Sequence, residues 1–287
     1  MPDNTDFVDV RILDNFYQTS SFYPMPVVMV STLAEDGQTN LGPYSLVFPY
    51  VIAGEHAMML ISRSNSNTAA NIERAGKAAL NFIPYDKKFL KNSVQLGFPG
   101  ETTDEKMKHS VYTLIPSPQE VQGTETAYPR IVKEAVQVFE CTRDASYTFH
   151  PSEQEAHFLL RIDSILMQER WHKALIDGKG YPSLPIDYGY RNNSDFWFAK
   201  HKKPFNVPIP KGRGLPVDAV QYAADRLDPD ITWEREACAK IVNVPRVFLK
   251  TVMTQINEEA RQRGVSVITP VLLDEIRDKR AQEKKGK

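Results

Sequence analysis

Six short apolar runs dominate the first two-thirds of the chain: residues 25–34, 45–53, 57–63, 78–83, 135–142 and 157–168. They are rich in β-branched residues and bounded by turn formers, so each reads as a strand. Helical spacing interrupts them clearly only at 66–75, where Ser66 suits an N-cap and Gly76 a C-terminal stop. Strands that follow one another with so few helices predict a barrel or sandwich and argue against alternating βαβ units. Between the first two runs, Glu35-Asp36-Gly37-Gln38 predicts a hairpin with a type I′ turn at Asp-Gly.

Beyond residue 200 the character changes. Lys203 to Pro216 carries four prolines and two glycines and reads as an extended connector. Helical spacing then predicts helices over 234–242, 245–263 and 271–280, with Gly264 stopping the second and Thr269-Pro270 opening the third. The predicted organisation is a mainly β domain over 1–202, a linker over 203–230 and a small helical domain over 231–287. Residues 86–133 are polar and predict loops plus one helix near 103–108. The aromatic-rich stretch 177–208 predicts an arm that packs on the barrel or fills a dimer interface.

Composition narrows the function. Of 287 residues, 41% are hydrophobic and 25% charged, with a net charge of −1, which gives no support for a nucleic-acid partner. No apolar run approaches a membrane span, and the first residues lack the features of a signal peptide. The two cysteines, Cys141 and Cys238, are far apart and sit in apolar patterns. They predict buried thiols in a cytoplasmic protein and neither a disulfide framework nor a zinc site. The six histidines are scattered. His150 and His157, the nearest pair, have no completing ligand pattern, so no metal is predicted. The basic stretch at 278–287 reads as a solvated terminus.

No GxGxxG or GxxxxGK(S/T) pattern occurs; Gly178-Lys179-Gly180 and Gly212-Arg213-Gly214 have neither the spacing nor the strand-to-helix context. No local Ser-His-Asp arrangement or nucleophile elbow occurs either. The densest set of small polar groups lies at strand ends and one helix start. A phosphate needs helix-start amides with short hydroxyl or cationic side chains. Ser62, Arg63, Ser64, Asn67 and Thr68, followed by Asn71 one turn on, supply them. Ser31, Thr32, Asn40 and Ser45 suit a polar ring system bound along neighbouring strands, with Leu41 and Tyr44 beside them in the expected site. Hairpin ends and a capped helix would carry many of the same residues without any ligand.

These segments resemble the flavin reductase-like FMN-binding split-barrel family over residues 20–170. That family has a DG turn, an N-x-x-P-(F/Y)-S segment, a D-T-x-x-N-I-type helix and a strand ending in V-N. Asp36-Gly37, Asn40, Pro43, Tyr44 and Ser45 match the first part, and Thr68, Asn71, Ile72 and Asn81 the second. Tyr128-Pro129 through Phe139-Glu140-Cys141 resembles the family's proline-then-LEC strand. The chain departs from many members in having Ser66-Asn67-Thr68 where they have Lys-Asp-Thr. Residues 231–280 are similar to the small helical domain ending the light-independent protochlorophyllide reductase B subunit, through Trp233, Glu236-Ala237, Val244-Pro245, Ala260-Arg261, Gly264 and Ile268-Thr269.

The first resemblance implies a split β-barrel that holds FMN non-covalently, is completed as a homodimer, and takes a hydride from NAD(P)H as transient co-substrate. No catalytic side chain is singled out, because the flavin carries the chemistry. The alternative is an FMN-binding electron-transfer or scaffold protein without turnover. In the alternative the helical domain would dock a redox partner; its own resemblance implies docking to a partner or covering a site.

Overall fold

The computed structural model describes residues 7–52, 55–119, 127–149, 152–190, 194–207 and 216–285. His150 and Gly212-Arg213-Gly214, considered above, lie outside them. The chain divides into two compact units, Met1–Pro204 and Phe205–Lys287.

The first unit opens with α1 (Phe16–Thr19), β1 (Met25–Pro26), β2 (Val28–Leu33), β3 (Thr39–Tyr44), β4 (Val47–Val51) and β5 (Ala57–Arg63). It continues through α2 (Asn67–Ala75), β6 (Lys77–Phe82), α3 (Lys87–Leu96), α4 (Thr103–Met107), β7 (Leu114–Ile115) and β8 (Ile131–Val132). It ends with β9 (Gln137–Arg143), β10 (Glu155–Met167), α5 (Glu169–Asp177), β11 (Pro185–Tyr190) and β12 (Phe196–Lys200).

Seven strands form one antiparallel sheet in the order β3-β2-β6-β9-β10-β5-β4. Its central strands are buried on both faces, which is why β2 reads as an unbroken apolar run without alternation. Val28 and Val30 face one core with Leu60, Phe158 and Ile72 of α2. Met29 faces a second core with Leu41, Leu90 of α3 and Ile131 of β8. Strands β2 and β5 are not neighbours, yet they share the first core, so the sheet curls around it.

The turn between β2 and β3 differs from the predicted type I′. Only Gly37 has positive φ (82°), and the Gly37 amide donates to the Ala34 carbonyl at 3.0 Å. Asp36 instead accepts from the Gln38 amide at 2.9 Å. The turn is one residue longer than predicted and places its single left-handed residue at glycine. Helix α2 has the predicted ends: the Ser66 hydroxyl accepts from the Ala69 amide, and Gly76 caps the helix at φ 66°. A Cβ on Gly76 would meet nothing within 4 Å. Gly76→Ala is therefore expected to cost only backbone strain, about 1–2 kcal/mol, read as a lower urea midpoint with an unchanged slope.

Residues 86–133 hold more than the predicted 103–108 helix. Helix α3 lies within them, capped by Asp86 and burying Leu90 and Leu96. The aromatic stretch from 177, expected as a packing arm, contains two strands. Strand β11 pairs with β1 on one side and with β12 on the other in a second, three-stranded sheet.

The second unit comprises α6 (Val217–Asp225), β13 (Thr232–Trp233), α7 (Arg235–Ala239), α8 (Arg246–Gln262), β14 (Val267–Ile268) and α9 (Pro270–Lys285). Trp233, Met253, Ala260, Ile268 and Ile276 build its core, and α6 adds Val220 and Ala224. Helix α6 thus falls within the stretch predicted as linker, 203–230. Its apolar positions 217, 220 and 224 lie on one face, and the proline-rich residues before it mask that spacing. Among the described residues no helix is long and apolar enough to cross a membrane.

Candidate functional site

The pleat of the sheet sorts the predicted residues into separate groups. Thr32 and Asn40 are opposite partners on β2 and β3, and both face α2. The Asn40 side-chain amide donates to the hydroxyls of Thr32 and Thr68, each at 3.3 Å, and the Asn71 amide donates to Thr32 at 3.1 Å. All four residues are buried. They tie the first turn of α2 to the hairpin and form a floor. In this floor the buried Asn40 Oδ1 has no partner among the described residues.

Ser31 and Leu41 point the other way, into the core beneath α3 and β8. There Ser31 accepts from the Asn81 amide at 2.9 Å, and Leu41 packs against Met29. A side-chain period of two sends neighbouring residues of a strand to opposite faces, so a consecutive Ser-Thr pair cannot face one ligand together.

Above the floor lies a cluster of three hydroxyls. Tyr44 and Ser62 are 2.8 Å apart, Ser62 and Ser66 are 2.8 Å apart, and Tyr44 donates to Ser66 at 3.3 Å. The same Ser66 oxygen accepts from the Ala69 amide at 3.0 Å, and the Ser66 carbonyl accepts from Ala70 at 3.1 Å. The first turn of α2 thereby leaves the amides of Asn67 and Thr68 facing outward. The backbone of β3 comes close here: a Cβ on Gly42 would stand 2.8 Å from the Thr68 hydroxyl. Glycine at this position lets the strand and the helix start meet.

The remaining predicted residues flank this cluster. Arg63 is exposed and lies opposite Glu155 on β10. Ser64 donates to the Glu153 carbonyl at 2.6 Å, and the Asn67 side chain donates to the Glu101 carbonyl at 3.1 Å. The Ser45 hydroxyl donates to the buried carboxylate of Asp187, which also accepts from the Gly189 amide at 2.6 Å.

Two neighbours carry no signal in the sequence. Asp187 arrives from the second sheet. Tyr17 sits where burial, then Glu155 and Asp187, push its phenol up while Arg63 pulls it down. On α4, Lys106 is buried. Ser66 is legible both as a helix cap and as one of the hydroxyls of the 62–68 run.

Other groups stand apart from this site. Burial raises the thiol of Cys141 well above its ordinary value and that of Cys238 to about 11, so neither is an activated nucleophile. Glu140 is buried on β9 and accepts from the Ser117 hydroxyl, while burial pushes its carboxyl up. A cavity of about 330 Å³ opens at the far end of the β2–β3 hairpin, lined by Leu33, Gln38, Thr39, Tyr128 and Arg130. It contains none of the predicted residues.

No family model matches the chain. An uncharacterized protein of Methanothermobacter thermautotrophicus is 36% identical over 70 residues, a match covering 24% of this chain and 32% of that protein. The chain thus spans about a third of the length of this relative. Among solved structures, nitrilotriacetate monooxygenase component B from Bacillus cereus is similar with a TM-score of 0.53 at 17% identity, covering 70% of this chain and 100% of its own. Flavoredoxin from Methanosarcina acetivorans is similar at 0.51 and 20% identity, covering 72% and 98%. The FMN-binding protein from Thermus thermophilus with bound p-hydroxybenzaldehyde is similar at 0.51 and 15% identity, covering 71% and 99%. The curled seven-stranded sheet and these likenesses give the chain the fold of the flavin reductase-like split-barrel proteins, followed by a small helical unit.

Proposed function

We propose that the barrel unit binds FMN non-covalently, with the phosphate at the start of α2 and the ring along the ends of β3 and β5, and passes a hydride from NAD(P)H to it. The observation that carries this reading is the cluster of Tyr44, Ser62 and Ser66 hydroxyls at the capped start of α2. Helix-start amides with hydroxyls beside them suit a phosphate. The residues therefore fit the group.

In this reading Thr68, Asn67 and Ser66 hold the phosphate end. Tyr44 and Ser62 orient the ring edge, and Ser64 and Arg63 close the exposed side. Thr32, Asn40 and Asn71 keep the helix start in place, and Ser45 is held by Asp187. Ser31 and Leu41 serve the core only. When bound, FMN supplies the hydride-accepting chemistry. A homodimer completes the site, and the helical unit docks a redox partner.

The test is a fluorescence titration with FMN, followed by NADH and NADPH oxidation with added flavin. Saturable quenching with turnover supports the proposal. No quenching at saturating FMN defeats it. Binding without turnover selects the electron-transfer reading, which the likeness to a flavoredoxin favours.

Ser66→Ala should separate two roles of one oxygen. Loss of the cap is expected to cost about 0.5–2 kcal/mol of stability, seen in urea melts. FMN affinity should fall with it, whereas Ser66→Asp should restore the cap but repel the phosphate. Unchanged FMN affinity in both variants would move the phosphate elsewhere.

A further inference from the structure

The cavity of about 330 Å³ lies in the first unit, between the β2–β3 hairpin, α4, β7 and the residues leading into β8. Its volume falls within the range of small-molecule sites, and its lining has their composition. Leu33, Met107, Leu114 and Ala127 supply apolar wall, among a few polar groups. None of the lining belongs to the hydroxyl cluster at the start of α2.

The buried part of the wall is held firmly. The Lys77 ammonium donates to the Tyr128 hydroxyl at 2.9 Å and to the Thr142 hydroxyl at 2.6 Å, and stands 4.3 Å from the centre of the Tyr128 ring. Both hydroxyls donate to one carboxylate oxygen of Asp163, at 2.9 and 2.5 Å. The Thr39 hydroxyl accepts from the Arg130 amide at 3.0 Å. Tyr128 and Thr39 are thereby fixed where they are buried.

Two lining side chains are left unpaired. The Gln38 Oε1 is buried without a partner, and buried polar atoms of that kind are few in a folded protein. Among the described residues, neither the Gln38 carboxamide nor the Arg130 guanidinium makes a hydrogen bond or an ion pair. Arg130 and Ala127 are exposed, while Leu33, Met107 and Leu114 are half-buried, so the cation stands toward the mouth and the apolar groups further in. A guanidinium fork matches a carboxylate in geometry and charge.

We propose that this cavity binds a small monocarboxylate with an apolar body. The body lies against Leu33, Met107 and Leu114, the carboxylate meets Arg130, and Gln38 is the second polar partner. One cation among apolar groups, with no helix start in the lining, suits a single charge better than a phosphate. The site shares no residue with the proposed FMN site, so the two can fail separately.

The experiment titrates the full chain, as wild type, Arg130→Gln and Ala127→Phe, with benzoate, hexanoate and the neutral benzamide by calorimetry. Wild type is expected to bind a carboxylate saturably, with a Kd of about 1 mM or tighter. Benzamide should bind about ten-fold more weakly or worse, for want of the charge-assisted contact. Arg130→Gln should remove that preference, and Ala127→Phe, which sets a ring at the mouth, should weaken every ligand. Both positions are exposed, so both variants should keep the wild-type urea midpoint. FMN titrated into benzoate-saturated protein should bind as it does to the free protein. No saturable binding of either carboxylate overturns the proposal. So does equal affinity for benzoate and benzamide, a benzoate affinity unchanged in both variants, or displacement of benzoate by FMN. If FMN does not bind at all, the benzoate titrations still decide.

Discussion

Trp233→Ala is expected to unfold the helical unit while the barrel keeps its own melting transition. The indole is 2% exposed at the centre of that unit's core, against Ile231, Ala237, Met253 and Ile268. Its N–H donates to the Asn257 Oδ1 at 2.9 Å, and the Asn257 Nδ2 already lacks a partner. Truncation to alanine leaves a cavity, which typically costs about 3–5 kcal/mol for an aromatic residue. It also orphans the buried Asn257 oxygen, at about 1–3 kcal/mol. A unit of this size rarely holds more than about 3–5 kcal/mol in all. Circular dichroism against urea should show two steps in wild type and one in the variant, with the lost amplitude helical. Limited proteolysis should then cut beyond residue 216 and spare the barrel. Loss of both transitions together would mean that the two units are one cooperative structure. Trp233→Phe is the control: it keeps most of the bulk and should cost less than half as much.

The second large effect is a gain. At pH 7, Lys106→Met should stabilise the ligand-free protein by up to about 3 kcal/mol. The ammonium pKa in the folded chain is about 8, against 10.5 when exposed. That difference, at 1.36 kcal/mol per pH unit, sets the figure of about 3 kcal/mol. Between those two values the unfolded chain binds more protons than the folded one, so wild-type stability from this group rises with pH. Below about pH 8 the penalty is present in full, and near pH 10.5 it has gone. The advantage of the methionine variant should therefore be greatest at pH 7 and close toward pH 10.5, in paired urea melts that cancel the other titrating groups. A gap that is absent, or does not change with pH, would show that the ammonium is solvated.

Much of the barrel was legible residue by residue. The strands at 57–63 and 78–83 and the helix at 66–75 follow from apolar runs, a serine cap and a glycine stop, all of which act within a few residues. Helix α3 was missed although Asp86 caps it and Leu90 and Leu96 are buried, because its exposed lysines outweigh a narrow apolar stripe. Strands β11 and β12 lie in the stretch expected as a packing arm, because tyrosine and tryptophan suit packing in many conformations; the pairing of β11 with β1 and with β12 decides. Helix α6 was hidden by the prolines ahead of it.

The site divides along the same line. Composition and spacing in the sequence were enough to locate the hydroxyls and amides of residues 31–71, the cap at Ser66 and the separation of a helical end from a β-rich beginning, since each depends on near neighbours in the chain. Which of those groups share a face was decided by the tertiary structure. The pleat sends Ser31 and Leu41 into the core and Thr32 and Asn40 under α2. Strand pairing brings Tyr44, Ser62 and Ser66 into contact, the second sheet delivers Asp187 to Ser45, and packing buries Lys106. The physical reason is that secondary structure follows from local backbone preference and apolar periodicity. A side chain's facing, burial and charge environment depend on residues tens of positions away, whose placement exists only once the sheet has paired and curled.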